Sequence, residues 1–214
     1  MIIKNFQIKN DLYIDGIIGK QTVKKMGDVF GIYNNNLAHF LGQFHHETAG
    51  FTKHTESLNY SVARLQATFP YYRNRPKEAQ EDGRTWYKKA DQETIANKVY
   101  WDKNRSSAYR LGNENWGDGW KYRGRGFQLT GKWNYEGFSE DNGVDAVLWP
   151  EIVAGEYFWE SGLWFCRKRN VFRHTGAVTI NSITEVTKLI NGGTNGLEDR
   201  IKWTRYYESI INWV

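Results

Sequence analysis

The chain has 214 residues, among them 10 Trp, 13 Tyr and 11 Phe, with only 3 Pro, 40 % hydrophobic and 25 % charged residues. That profile excludes a disordered chain and describes a soluble globular protein with a sizeable core. The 29 Lys and Arg against 24 Asp and Glu leave a net charge of +5 and a pI near 9.1, which favours anionic partners in general. The excess is dispersed, so specific nucleic-acid binding has only the short RGRG at 123–126 and this mild charge behind it. Mean hydropathy is −0.71, and no apolar run approaches the ~18 to 20 residues that cross a bilayer, so no membrane span is expected. A single Cys166 excludes an intramolecular disulfide and any Cys-based zinc site, and reads as a small buried hydrophobe. The opening MIIKNFQIKND lacks the ~7 to 15-residue apolar stretch of a secretory signal. The expectation is synthesis in the cytoplasm, with any action outside it requiring separate release.

Residues 1–33 read as short elements around a turn, Asp15-Gly16-Ile17-Ile18-Gly19, followed by an amphipathic helix from about Thr22 to Phe30. Asn34-Asn35-Asn36 is an N-cap cluster before Leu37, Phe40, Leu41 and Phe44, whose i, i+3, i+4, i+7 spacing predicts a helix over 37–49 stopped by Gly50. Helices are expected at about 61–69, 77–89 and 92–101, with Pro70 and Pro76 bounding the segment between the first two. The glycine-rich stretch 102–127, interleaved with Trp116, Trp120 and Tyr122, predicts a long structured loop, and loops of that length are usually functional. Helices resume at about 150–166, then at 182–191, where Ser182 and Glu185 suit a capping box. The last is expected over 196–213, with Glu198 and Lys202 as an i, i+4 pair. Alternating strands are scarce, so the chain reads as mainly α with at most one small hairpin. The expected division is an N-terminal extension, 1–33, and one catalytic domain, 34–214.

The run His45-His46-Glu47-Thr48-Ala49-Gly50 invites a zinc reading, but the H-E-x-x-H spacing fails because Gly50 stands where the second histidine must be. Glu47 has another use. On a helical wheel it falls roughly 70° from the centre of the apolar face, at its edge, where partial burial disfavours the charged carboxylate and suits a general acid. Glu56 follows nine residues later. A continuous helix would hold the two about 13.5 Å apart on opposite faces. The break at Gly50 allows the chain to turn and bring them to the ~6.5 to 9.5 Å that inverting glycoside hydrolysis uses.

Four ordered blocks carry a resemblance: AHFLGQFHHETAGF at 38–51, ESLNYS at 56–61, GDGWKYRGRGFQLTGKWNY at 117–135 and VTKLINGGTNGLEDR at 186–200. Together they resemble the glycoside hydrolase family 19 chitinases and their bacteriophage endolysin relatives. The resemblance implies a mainly α-helical, lysozyme-like fold with a deep cleft, little or no β-sheet and no metal or other cofactor. It implies that Glu47 is the general acid, that Glu56 is the base, and that Thr130 supplies the hydroxyl that helps hold the attacking water. Gln128, Asn134 and Asn191 match groove residues that bind the sugar, and Arg200 matches an arginine beside the acid. Tyr60 and Tyr122 join them as sugar-contacting candidates. Relatives carry two residues between the last Gly of RGRG and the Gln, whereas only Phe127 separates Gly126 from Gln128 here. The Asp15-Gly16-Ile17-Ile18-Gly19 run with Thr22 is similar to a motif of small peptidoglycan-binding modules, although a helix packed on the catalytic domain is the preferred reading of 1–33.

The implied function is a monomeric phage-type endolysin hydrolysing β-1,4 bonds of peptidoglycan glycan strands, acting on the wall after release. A chitinase acting on chitin oligomers, a non-catalytic wall-binding protein and a zinc amidase are the rivals. Eight aromatics, Tyr109, Trp116, Trp120, Tyr122, Phe127, Trp133, Tyr135 and Phe138, crowd into 109–138. Part of that crowd is expected to be sugar-binding surface.

Overall fold

A computed structural model describes residues 2–127 and 129–212. Its helices are α1 (Ile2–Lys9), α2 (Lys20–Phe30), α3 (Asn34–Glu47), α4 (Val62–Thr68), α5 (Pro70–Arg73), α6 (Pro76–Asp82), α7 (Gln92–Tyr100), α8 (Asp118–Lys121), α9 (Lys132–Asn142), α10 (Phe158–Lys168), α11 (Ile180–Asn191) and α12 (Leu197–Ile211). Short 3-10 turns punctuate them, and among the described residues β structure is limited to isolated bridges such as Arg125 with Leu129. The fold is therefore mainly α, as the sequence predicts. Among the described residues no helix is long and apolar enough to cross a membrane.

The chain divides into two compact units. One unit comprises Met1–His54 and Tyr157–Val214, the other Thr55–Glu156. In the first unit the predicted apolar face of α3, Leu37, Phe40, Leu41 and Phe44, is buried. Phe44 stacks on Phe158 at 4.8 Å between centroids and meets Trp159 edge-on at 5.4 Å. Trp159 also takes Phe30 at 5.8 Å and Phe6 at 6.2 Å, so the N-terminal segment contributes to the same aromatic core. A buried aromatic removes about 150–250 Å² from water, which makes this cluster a principal source of cohesion. α3 crosses α12 at its Gly42. A Cβ there would stand 2.6 Å from the Thr204 backbone, a separation no side chain tolerates, so only glycine lets the two helices meet.

The Asp15-Gly16 turn is tied into this unit by the buried Gln7. Its amide donates to Asp15 Oδ1 at 2.7 Å, to the Ile17 carbonyl at 3.1 Å and to Thr22 Oγ1 at 3.2 Å, while the Gly16 N–H donates back to Gln7 Oε1 at 2.8 Å. The motif residues thus hold α1 against α2.

In the second unit α4 to α7 enclose Leu58, Leu65, Tyr72, Ala79, Ile95, Ala96 and Val99. Under them Lys98 Nζ lies 2.8 Å from Glu78 and 2.7 Å from the buried Asp82. Tyr71 donates to Glu78 and Tyr72 to Asp82, both at 2.7 Å. Shared hydrogen bonds compensate the desolvation of three charges that would otherwise be costly there.

Several boundaries differ from the sequence reading, each for a local reason. The helix expected over 77–89 stops at Asp82, because Gly83 packs against the Val62 backbone and the chain leaves as a loop. The one expected over 150–166 is a 3-10 turn, Pro150–Ala154, then a break at Gly155 before α10. At α11 the capping box starts at Thr179, and Ser182 is its third residue rather than its cap. The stretch 102–127 contains the short α8, and α1 and α9 arise where no separate helix is predicted. α9 buries only Tyr135 and Phe138, too sparse a stripe to announce itself.

Candidate active site

Glu47 and Glu56 belong to different units, and each has its own surroundings. Glu47 is the last residue of α3, after which Thr48 caps the helix by donating to the Phe44 carbonyl at 2.6 Å. Ala49, Gly50 and Phe51 then all take positive φ, 48°, 70° and 62°. The helix therefore ends three residues before the glycine expected to stop it, and two non-glycine residues, Ala49 and Phe51, accept a left-handed backbone within four residues of Glu47. The Glu47 side chain is 12 % exposed, and its carboxylate receives a hydrogen bond from the Arg200 guanidinium.

Arg200, 1 % exposed in α12, spends its whole fork inside the unit. Besides Glu47 it donates to Gln43 Oε1 at 2.6 Å and to the Asn195 carbonyl at 3.1 Å. Gln43, also buried, donates to Thr187 Oγ1 on α11 at 3.0 Å. One chain of polar contacts therefore fixes three helices and the carboxylate together. A planar fork suits this task because it donates in several directions from a rigid frame. Arg200 lies beside Glu47, and its buried guanidinium orients that carboxylate.

The neighbouring histidines are engaged as well. His45 stacks on Trp203 at 3.5 Å, its Nδ1 lies 2.8 Å from the Tyr207 hydroxyl, and burial brings its pKa down to about 4. His46 Nδ1 lies 2.7 Å from Asp199. Among the described residues no three His, Cys, Asp or Glu side chains are gathered as a metal site would need.

In the second unit Glu56 is held from both backbone and side chain. Its N–H donates to the Gly124 carbonyl at 2.8 Å, and the Gly124 N–H returns to its Oε2 at 3.2 Å. The Tyr100 hydroxyl donates to Oε1 at 2.7 Å. Burial pushes the Glu56 carboxyl above its ordinary range, against the opposing pull of Tyr100, the Gly124 N–H and the Arg123 charge. Tyr60 also faces it, and burial together with the Glu56 charge raises the Tyr60 phenol. Thr130 shares this place. A Cβ on Gly124 would lie 3.2 Å from Thr130 Oγ1 and 3.3 Å from Glu56 Oε2, so the glycine keeps open the space that the hydroxyl and the carboxylate flank. Since Tyr100 stabilises the charged carboxylate, Tyr100→Phe is expected to move the Glu56 pKa further up. Carbon-detected NMR titration of the Glu56 carboxyl checks this, and a downward shift contradicts it.

No protein-family model matches the chain. It is 40 % identical over 173 residues to a glycosyl hydrolase family 19 domain-containing protein of Haemophilus influenzae, an alignment spanning 78 % of this chain and 76 % of that protein. The chain belongs to glycosyl hydrolase family 19. Membership makes it a glycoside hydrolase, and the two carboxylates just described are its candidates for acid–base work.

Other positions read from the sequence of this family 19 chain separate into open and closed ones. Asn134 is exposed on the first turn of α9, where its amide donates to the Thr130 carbonyl at 2.7 Å and so braces the Thr130 backbone. Asn191 is exposed at the end of α11. Tyr122 is buried against Tyr135 with its hydroxyl donating to the Val147 carbonyl at 3.2 Å, so its ring is core and not a sugar platform. Gln128 lies outside the described residues. Of the eight crowded aromatics, Tyr122, Phe127, Tyr135 and Phe138 are buried, whereas Tyr109, Trp116 and Trp133 are exposed. The arginines of RGRG are occupied locally. Arg123 lies 3.5 Å over the Trp120 ring, and Arg125 donates to the Lys121 carbonyl at 2.6 Å and to the Tyr135 hydroxyl at 3.2 Å.

Sequence reasoning missed Tyr100, which stands 44 positions from Glu56 with no motif linking them. It also passed over Gln43, though a signal was present. A glutamine one turn before Glu47, among Phe40, Leu41 and Phe44, is a polar group on an apolar face and calls for a buried partner.

Proposed function

We propose that the chain is an endolysin that hydrolyses β-1,4 bonds of bacterial peptidoglycan with inversion, Glu47 acting as general acid and Glu56 as general base. The observation that carries this reading is the Glu56 carboxylate and the Thr130 hydroxyl flanking one glycine. An inverting enzyme needs an ionised carboxylate and a second polar group to hold and deprotonate one water. In the reaction Glu47 gives its proton to the glycosidic oxygen as the bond to C1 breaks. Glu56 takes a proton from the water as its oxygen bonds to C1 from the other side of the sugar ring. Arg200 and Gln43 hold the acid, and Tyr100 and the Gly124 N–H hold the base.

The basic pI favours an anionic wall polymer over neutral chitin. In this reading the protein works as a monomer, is made in the host cytoplasm, and lyses the cell once a separate membrane pore lets it reach the wall. Digestion of purified peptidoglycan followed by mass spectrometry is expected to show new muramic acid or glucosamine reducing ends. In Glu47→Gln the rate is expected to fall about 10²- to 10⁴-fold, the range of a lost general acid. Reducing ends from chitin oligomers alone would make the protein a chitinase instead, and an undiminished rate in Glu47→Gln would remove Glu47 from the mechanism.

A further inference from the structure

The loop between α6 and α7 ends in Arg84-Thr85-Trp86-Tyr87-Lys88-Lys89, and its rings are turned outward. Trp86 is 94 % exposed and Tyr87 65 %, and the two rings meet edge to face with centroids 5.2 Å apart. The loop is nevertheless well anchored. The Arg84 N–H donates to the Tyr60 carbonyl at 2.8 Å, the Thr85 N–H to the Lys88 carbonyl at 3.0 Å and the Ala90 N–H to Asn59 Oδ1 at 3.3 Å. The Lys88 ammonium bonds to the Glu81 carbonyl. A fixed backbone thus displays the largest apolar side chain, fully hydrated, beside three cations. No acid lies between Gly83 and Ala90; of the nearest ones Asp82 is buried on Lys98, Asp91 caps α7 and Glu81 is exposed beside Lys88, which leaves Arg84 and Lys89 as the cations clear of any acid.

We propose that this tip is a docking element for an anionic lipid bilayer, with Trp86 and Tyr87 entering the headgroup region while Arg84, Lys88 and Lys89 meet the phosphates. Trp and Tyr are the side chains that concentrate at that depth, since one part of each ring is apolar and another donates a hydrogen bond. Long cationic side chains beside them can follow the phosphates. Exposure decides between a bilayer and a glycan. A ring that stacks on a sugar offers one face and rests its other side on protein, and Trp116 and Trp133, each 55 % exposed, keep nearly half of their surface covered in that way. Trp86, at 94 %, stands clear of the protein almost all round, which insertion uses and stacking on one face does not. The inference is independent of the hydrolytic assignment.

The test is co-sedimentation of the full chain with vesicles of phosphatidylethanolamine containing about a quarter phosphatidylglycerol, with pure phosphatidylcholine vesicles and purified peptidoglycan as parallel arms. Wild type is expected to bind the anionic vesicles, less at high salt, and to ignore phosphatidylcholine. Trp86→Ala is expected to lose about tenfold in partitioning. Lys89→Ala should lose about fivefold, the effect of one charge near such a surface. Both side chains are solvated, so the thermal midpoint and the rate on soluble glycan fragments should remain those of wild type. Equal vesicle binding by wild type and Trp86→Ala overturns the proposal. So does a Trp86→Ala defect seen on peptidoglycan and not on vesicles, which would make the tip a glycan grip.

Discussion

Glu56→Gln is expected to lose about 10²- to 10⁴-fold in kcat with little change in KM, and at the same time to melt at a higher temperature than wild type at neutral pH. The activity loss follows because a neutral amide cannot accept the proton of the attacking water. The stability gain follows from the direction of the Glu56 shift, which is upward and caused first by burial. A carboxyl with a raised folded pKa binds its proton more tightly in the native state than in the unfolded chain. Its favourable contribution is present below the unfolded glutamate pKa and is lost as pH rises through the folded one. At neutral pH the ionised, buried carboxylate therefore opposes folding, and Gln removes that opposition while still accepting from Tyr100, a gain that outweighs the loss of the long 3.2 Å bond from the Gly124 N–H. The gain should shrink as pH falls below the wild-type Glu56 pKa. Thermal melts of both proteins across pH, beside single-turnover rates, check the two halves separately. A variant that is inactive and also less stable at neutral pH would mean that Glu56 chiefly holds structure.

Arg200→Met is expected to destabilise the protein by about 3–5 kcal/mol, the cost of removing one member of a buried ion pair. Its guanidinium is the shared donor for Glu47, Gln43 and the Asn195 carbonyl, and it ties α12 to α3 and, through Gln43 and Thr187, to α11. Against a typical domain stability of about 5–15 kcal/mol, such a loss is large. Arg200→Lys restores the charge but not the fork, so its midpoint in urea should lie between those of Met and wild type. Equal midpoints for all three proteins would show that the network contributes nothing to the fold. Activity in Arg200→Lys should fall as well, because Glu47 loses the rigid frame that aims it.

Much of this molecule is legible in its residues. The spacing of Leu37, Phe40, Leu41 and Phe44 specifies α3 and the face it buries, since helical periodicity is a local property. The Asp91 side chain caps α7 at Thr94, in a place that the local pattern marks as a helix start. The ordered motifs carry the family, which the Haemophilus relative then shows. What the residues could not reveal is long-range. Tyr100 meets Glu56 only because α7 packs where residue 124 returns to pair with the Glu56 backbone. The resemblance sets Arg200 beside the acid, but only the Gly42 crossing, which draws α12 so close to α3, seals its side chain inside. Tyr122 and Trp86 make the same point in opposite directions, the first closed into the core and the second left open at a loop tip. Sequence alone determined the mainly α class, the apolar face of α3 and the family, because those follow from local periodicity and from motifs. Only the tertiary structure decided which polar groups surround each glutamate and which aromatics reach the surface, because burial and hydrogen-bond partners depend on segments brought together from far along the chain.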